Sequence, residues 1–253
     1  MSKQTSRFCA LMLLLFSSAA HAGWYEIQNY VGTIGTAPIH LSLQTYRYIN
    51  HGEKSEWRVD GSYYYDAHRV PIPLQGHLQD DEHMVLCEAI PPSSNSESPV
   101  VPAISAGHPT PCPLTLNIGT DSANGEWNDG KNALPIFLHQ VGRLNDTDDA
   151  KPSITGLIAI PMWYHTPTHM LLGVYQMTED CPVSMRHLQL INIATGRIDG
   201  DMAFDCQAGM VMTAIYQNVS RGSKTEQITV GYDGGKMGHD EVFDIRPHLT
   251  QKK

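Results

Sequence analysis

The chain has 253 residues, a net charge of −9 at neutral pH and 41% hydrophobic residues. A chain of this length suits one large all-β domain or two smaller domains, and either can bury a substantial core. The acidic balance argues against a nucleic-acid partner, because phosphates require a basic face. It allows attraction to a basic partner, and an acidic protein with no charged partner is the alternative.

The first 22 residues have the pattern of a secretory signal peptide. Lys3 and Arg7 provide a positive start, Phe8–Phe16 is a short apolar run, and Ala20–Ala22 (AHA) is a small-residue cleavage site. The apolar run is too short to span a bilayer. We therefore expect a periplasmic or secreted protein with no membrane span. Cleavage removes two cations and no acid, so the net charge of residues 23–253 becomes −11.

Hydrophobic residues alternate with polar ones along most of the chain, which predicts a mainly β protein. The alternating runs, in chain order, are Ile39–Leu43, Trp57–Tyr65, Ile72–Leu74, Met84–Leu86, Leu114–Ile118, Leu188–Ile193, Met210–Tyr216 and Ile228–Tyr232. Val183–Gln189 fits one short helix and fits a strand equally well. An acidic, turn-rich segment at 145–153 separates two predicted β-rich units, residues 23–145 and 150–253, each a sandwich or an open barrel-like sheet.

Four cysteines remain after cleavage, namely Cys87, Cys112, Cys181 and Cys206. An even number of cysteines in an oxidising compartment predicts two disulfides. Three pairings are possible. Equal sequence separations favour Cys87–Cys112 and Cys181–Cys206, which puts one bridge in each unit.

Two segments have the composition of long exposed loops. Residues 91–111 are rich in Pro and Ser, and the predicted Cys87–Cys112 bridge would hold their two ends together. Residues 233–241 form a Gly-rich polar segment. Both are candidate contact loops for a partner.

A weak internal repeat predicts two similar hairpins. Each copy has Asp or Asn, then Gly, any residue and an aromatic, followed at the same offset by a Pro-Ile-x-Leu block. The copies are Asp60–Tyr63 with Pro71–Leu74, and Asn124–Trp127 with Pro135–Leu138, and Pro38–Leu41 is a partial third copy. Chance similarity among short strands is the alternative. We interpret the matched aromatics, Tyr63 and Trp127, as core or platform residues and not as catalysts.

The first half also resembles a known group of exported proteins. The segments Gly61–Asp66 (GSYYYD), Pro71–Gly76 (PIPLQG) and Leu86–Glu88 (LCE), followed by Gly125-Glu126-Trp127, resemble a pattern found in uncharacterised bacterial exported β-rich proteins. The resemblance covers residues 30–145. It implies a bacterial envelope setting and a β-rich module, and it brings no activity or catalytic residue with it.

No segment carries a catalytic signature. The G-x-S-x-G elbow of serine hydrolases is absent. His165 and His169 have the spacing of a zinc-binding helix, but Pro167 lies between them and the required Glu is missing, so a turn is the better interpretation.

Acidic residues suggest two further kinds of site, a glycosidase acid pair and a calcium site. The acid pair of a glycosidase would come from Glu88, Glu126 and Asp129. The favoured interpretation is that these are solvated acids at strand ends. The acidic stretches at 146–149 and 233–241 do not fit EF-hand spacing. We therefore predict no catalytic residue, no metal and no cofactor.

From these observations we predict a non-catalytic binding protein that neutralises an envelope-acting enzyme, as a toxin immunity protein or a lysozyme-type inhibitor. The expected partner is a protein, such as a secreted hydrolase or toxin. The predicted partner-binding residues are Tyr63, Tyr65, Glu126, Trp127, Asp233 and Asp240. An envelope hydrolase with a non-obvious site, or a structural or assembly subunit of the envelope, is the alternative.

Overall fold

The computed structural model describes residues 25–48, 56–80, 82–89, 112–145, 153–178, 181–209, 215–224, 226–232, 238–245 and 250–251. The predicted signal peptide, the segments 91–111 and 146–149, and Asp233 lie outside these residues. In the part of the chain that is described, the structure is nearly all β, and a single 3-10 turn spans Ile215–Gln217. The mainly β prediction is confirmed.

Nine strands of the described chain form the first sheet. They are β1 Tyr25–Ile34, β2 Ala37–Tyr48, β3 Glu56–Tyr65, β4 Ile72–Leu78, β5 His83–Glu88, β6 Leu114–Ile118, β7 Ser122–Asn128, β8 Ala133–Asn145 and β9 Ser153–Gly156. Each strand pairs antiparallel with the next in sequence, and β1 also pairs with β8. The first eight strands therefore close into a barrel, which leaves none of them as a free sheet edge.

The barrel interior is a packed apolar core. Because side chains alternate across a strand, every second residue points inward, and Ile39, Leu41 and Leu43 of β2 are all nearly inaccessible to solvent. All eight strands contribute to this core through Tyr30, Ile34, Ile39, Leu41, Leu43, Val59, Tyr63, Leu74, Met84, Leu86, Leu114, Leu116, Ala123, Ile136 and Leu138. The alternation seen in the sequence is thus the alternation between lumen and outer wall.

The two predicted hairpins are present as β3–β4 and β7–β8. Gly61 faces Leu74 in the first, and Gly125 faces Ile136 in the second. The registers differ by two residues because the turns differ in length, spanning 66–71 in one hairpin and 129–132 in the other. A Cβ on Gly125 would overlap the carbonyl oxygen of Thr115 on β6, so this strand position requires glycine for close backbone approach.

The second half of the chain contains two four-stranded antiparallel sheets. The first consists of β10 Ile158–Pro161, β11 His169–Thr178, β12 Cys181–Asn192 and β13 Ile198–Ala203, and the second of β14 Val219–Arg221, β15 Gln227–Tyr232, β16 His239–Asp244 and β17 Thr250–Gln251. Both contribute to one apolar core, which also takes in Ile27 and Leu144 from the outer wall of the barrel.

The structure decides one ambiguous segment of the sequence and corrects one predicted strand. Val183–Gln189 is part of strand β12 and is not a helix. The predicted strand Met210–Tyr216 is wrong at its end, because Ile215 and Tyr216 lie in the 3-10 turn. These consecutive residues are both buried, an arrangement that the one-sided alternation of a strand does not give. Residues 210–214 lie outside the described residues.

Buried polar contacts join the barrel wall to the second half. Trp163 Nε1 donates to the Gly61 carbonyl oxygen at 2.8 Å, and Ser62 Oγ donates to the Pro161 carbonyl oxygen at 2.7 Å. The Tyr216 hydroxyl donates to Ser42 Oγ at 2.7 Å, with the Tyr216 ring stacked on Trp163. These buried polar groups therefore find partners across the contact.

Both predicted disulfides are confirmed, since Cys87 bonds to Cys112 and Cys181 bonds to Cys206. Disulfides persist in oxidising compartments, so the two bridges are compatible with the predicted periplasmic or extracellular location. Among the described residues, no helix has the length and apolar character required to cross a membrane. The division into units at residues 145–150 stays a prediction.

The close backbone approach at Gly125 leads to a prediction about stability. Gly125→Ala should lower the free energy of unfolding by about 2 kcal/mol, because the added methyl forces β6 and β7 apart. The matched control is Asn124→Ala, an exposed neighbour on the same strand, which should change it by less than about 0.5 kcal/mol. Urea unfolding followed by circular dichroism measures both, and equal midpoints would contradict the close-approach role of Gly125.

Candidate functional site at the barrel mouth

One carboxylate organises the end of the barrel at which β5 finishes. Glu88 is the last residue of β5 and faces Leu74 of β4, whose side chain lies in the barrel core. Alternation from the buried Leu86 therefore directs Glu88 into the lumen. Its Oε1 accepts a hydrogen bond from the Tyr63 hydroxyl at 2.5 Å and one from Trp127 Nε1 at 3.3 Å.

Aromatic side chains surround this carboxylate. Tyr63 and Tyr65 come from β3, with ring centroids 5.6 Å apart in an edge-to-face arrangement, and Trp127 comes from β7. Tyr63 is only 1% exposed, whereas Tyr65, Glu88 and Trp127 are partly exposed. We call these four residues the mouth cluster. It runs from the barrel core to the solvent at one end of the lumen.

The electrostatics of the mouth cluster hold Tyr63 in its protonated form. Burial raises the pKa of Tyr63 well above its usual range, and the negative charge of Glu88 raises it further. Burial also raises the pKa of Tyr65. Among the described residues, no Lys, Arg or His side chain forms an ion pair with Glu88. The carboxylate is thus held by neutral donors and has no countercharge within the described chain.

The first disulfide adjoins the mouth cluster. Cys87 immediately precedes Glu88, and its partner Cys112 lies two residues before β6 begins. The chain between Ala89 and Cys112 contains the predicted 91–111 contact loop, which is outside the described residues. Both attachment points of that segment therefore lie at the mouth.

The mouth brings together three of the six predicted partner-binding residues: Tyr63, Tyr65 and Trp127. Glu126 is elsewhere, because it precedes Trp127 on the same strand and therefore points outward, where it is exposed and accepts a hydrogen bond from Asn128 Nδ2 at 3.0 Å. Asp240 is exposed on β16 in the second half of the chain.

The acids weighed for a glycosidase do not form a pair. Glu88 points into the lumen and Glu126 points out of it. Asp129 lies in the β7–β8 turn, where hydrogen bonds from the backbone N–H groups of Asn132 and Lys131 lower its pKa. Asp129 therefore has a structural role as a turn-capping carboxylate.

The two histidines with zinc-like spacing flank a turn and have other partners. Thr166 Oγ1 accepts hydrogen bonds from the backbone N–H groups of Thr168 and His169, which defines that turn. His165 Nδ1 lies 3.0 Å from the Thr166 carbonyl oxygen, and His169 Nε2 lies 3.1 Å from Asp199. Over the described ranges, no group of three or more His, Cys, Asp or Glu residues is placed to hold a metal ion.

Sequence reasoning missed the central position of Glu88. It treated Glu88 as one of three acids near aromatic residues and did not include it among the partner-binding residues. Two signals were present in the sequence. Glu88 continues the alternation of Met84 and Leu86, which predicts an inward side chain, and it directly follows a bridging cysteine.

The opposite end of the lumen, where β1 begins, is also polar. Arg143 Nε lies 2.5 Å from Glu26 Oε1, and Gln28 Nε2 donates to the same oxygen at 2.9 Å. The nearby Tyr30 is 1% exposed, and its hydroxyl has no well-formed hydrogen bond. This end differs from the mouth in having its own cation beside its carboxylate.

Comparison of the chain with protein-family models, with curated proteins and with solved structures found no match.

Replacing Tyr63 tests the hydrogen bond at the centre of the mouth. Tyr63→Phe should cost about 2 kcal/mol of stability, because a charged acceptor loses its shortest hydrogen bond. The indole N–H resonance of Trp127 should also shift, since it becomes the remaining donor to Glu88 Oε1. Tyr64→Phe is the control, because Tyr64 points away from the lumen and stacks on His40. An unchanged Trp127 resonance in Tyr63→Phe would contradict the shared acceptor.

The burial of Tyr30 leads to a prediction about how the stability of the fold depends on pH. Burial raises its pKa from 10.0 to about 12, although the nearby Gln140 amide works in the opposite direction. Tyrosine in the unfolded chain ionises near pH 10, so Tyr30 has no effect below that pH and destabilises the fold progressively between pH 10 and 12, by about 3 kcal/mol in total. Tyr30→Phe should therefore lose less stability than the wild type over that interval in urea titrations. Parallel losses in the two proteins would refute the shift.

Proposed function

We propose that this protein is an exported, non-catalytic binding protein that neutralises an envelope-acting enzyme, as a toxin immunity protein or a lysozyme-type inhibitor does, and that it binds through the barrel mouth. The observation that carries the proposal is Glu88, a partly buried carboxylate held by two neutral donors at the rim of a closed barrel. The mouth of a barrel is a common position for a binding site.

The composition of the mouth cluster supports recognition of a macromolecule. Tyr and Trp are enriched among the few residues that carry most of the energy of protein interfaces, and Tyr65 and Trp127 are both partly exposed there. The hydrogen bonds to Glu88 fix the geometry before a partner arrives, which reduces the entropic cost of binding. A rigid aromatic rim around a charged group is well suited to anchoring a protruding side chain.

The charge of the chain supports an enzyme with a basic surface as the partner. The net charge of −9, or −11 after the predicted cleavage, attracts basic proteins and accelerates their association. Many enzymes that act on anionic envelope polymers need a basic face for their substrate. An acidic inhibitor is complementary to such a face.

The arrangement of acids favours binding over hydrolysis. A retaining glycosidase holds two carboxyl groups about 5–5.5 Å apart. Glu88 has no such companion in Glu126 or Asp129, because one lies on the outer wall and the other caps a turn. Among the acids that sequence analysis singled out and the structure describes, Glu88 is alone in the lumen.

The proposal is tested by capturing the partner with the mature protein. Tagged protein comprising residues 23–253 is incubated with periplasmic extract at several salt concentrations, and the bound proteins are identified by mass spectrometry. We expect an envelope hydrolase or toxin to be recovered, and its activity to fall when the mature protein is added. Weaker capture at high salt is expected, because part of the attraction is electrostatic.

Two variants link the result to the mouth. Trp127→Leu should weaken inhibition at least tenfold, because an interfacial aromatic anchor is lost. Glu126→Gln changes the adjacent, outward residue and should inhibit like the wild type. Recovery of no enzyme at any salt concentration, or full inhibition by Trp127→Leu, would overturn the proposal. Turnover of an envelope polymer by the protein itself would favour the alternative function, in which this protein is an envelope hydrolase.

A further inference from the structure

We infer that the mouth cluster binds a basic side chain, a guanidinium or an ammonium group, which the partner inserts between the Tyr65 and Trp127 rings to reach the Glu88 carboxylate. This inference rests on the proposed function, because it specifies the chemistry that the same mouth recognises. Three features of the mouth cluster favour such a ligand: the open hydrogen-bonding capacity of Glu88, its missing countercharge, and the aromatic surfaces.

The open hydrogen-bonding capacity of Glu88 is that of an acceptor. A carboxylate offers about four lone-pair positions, and the two hydrogen bonds that Glu88 receives both go to Oε1. The Tyr63 hydroxyl and the Trp127 N–H are the donors in those bonds, so neither is available to a ligand. A ligand that satisfies Glu88 must therefore donate hydrogen bonds, which disfavours an anion.

The missing countercharge favours a cation over a neutral donor such as a sugar. A carboxylate that is partly removed from water loses solvation, and an opposite charge nearby compensates for the loss. At the far end of the lumen Glu26 has that compensation from Arg143. Glu88 receives only neutral donors from the described residues, so the compensating cation is the element that the mouth lacks.

The aromatic surfaces supply the third part of a cation site. A cation over the face of a Trp or Tyr ring is attracted by the negative face of the ring, and aromatic cages with a nearby carboxylate suit ammonium and guanidinium groups. Tyr65 is fixed edge-to-face against the buried Tyr63, and Trp127 is fixed by its hydrogen bond to Glu88. Both rings are thus held in place at the rim while remaining partly exposed.

The test titrates the mature protein with N-acetyl-arginine amide and follows the Trp127 indole N–H by NMR, with Trp127→Leu used to assign that resonance. The neutral isostere N-acetyl-citrulline amide is the ligand control, and tetramethylammonium reports cation binding without hydrogen bonds. We expect a saturable shift with the arginine probe, at a dissociation constant on the order of millimolar. A smaller shift is expected with tetramethylammonium and none with the citrulline probe.

Two carboxylate variants complete the test. Glu88→Gln keeps the shape and an acceptor oxygen but removes the charge, and it should weaken arginine binding at least tenfold. Glu126→Gln removes a charge from the outer wall and should bind the probe like the wild type. If Glu88→Gln fails to fold, as judged by circular dichroism, Tyr65→Leu replaces it, with the same loss expected. Equal shifts with the arginine and citrulline probes, or unchanged binding by Glu88→Gln or its replacement, would overturn the inference.

The two proposals fail separately. Arginine binding at the mouth without capture of any enzyme would refute the inhibitor function and keep the cation site. Capture and inhibition of an enzyme that Glu88→Gln or its replacement leaves unchanged would keep the function and refute the cation site.

Discussion

Pairing of β1 with β8 is the constraint on which the rest of the structure depends. It closes eight antiparallel strands into a barrel, removes the free edges of those strands and encloses one face of every strand in a common core. The lumen is narrow enough for side chains from all eight strands to fill it. Close approach of neighbouring backbones at Gly125 belongs to this narrow geometry. The two faces of a strand in this barrel therefore have different environments, a buried and mainly apolar lumen and an outer wall.

The second half of the chain covers one part of the outer wall and leaves another part exposed. Where β2 and β3 face that half, polar side chains such as Ser42 and Ser62 are buried, yet they hydrogen-bond across the contact. Elsewhere the wall is exposed, as at Glu126. Burial of Ser42 and Ser62 is tolerated because both have partners, whereas an unsatisfied polar group at this contact would lower the free energy of unfolding by about 1–3 kcal/mol. The second half thus packs on the barrel through specific polar contacts as well as through a shared apolar core.

The mouth cluster follows from the same closure. Glu88, Trp127 and the two tyrosines come from three strands that are not neighbours in the sheet, and only the curvature of a closed barrel turns their side chains towards one another. An open sheet would leave these residues in separate positions along one face. The barrel thereby produces a carboxylate within an aromatic rim from residues that are far apart in sequence. The proposed role in binding a basic group depends on that arrangement.

Local patterns in the sequence determined a large part of this protein. Period-two alternation determined the β class, equal cysteine spacing predicted both bridges, and the repeat identified the β3–β4 and β7–β8 hairpins, because strand faces, turns and short covalent loops are local properties. The pairing of β1 with β8 and the convergence of Tyr63 and Trp127 on Glu88 depend on contacts between distant segments. Only the tertiary structure decided those, because no local pattern records which distant strands pair or which side chains then meet across the lumen.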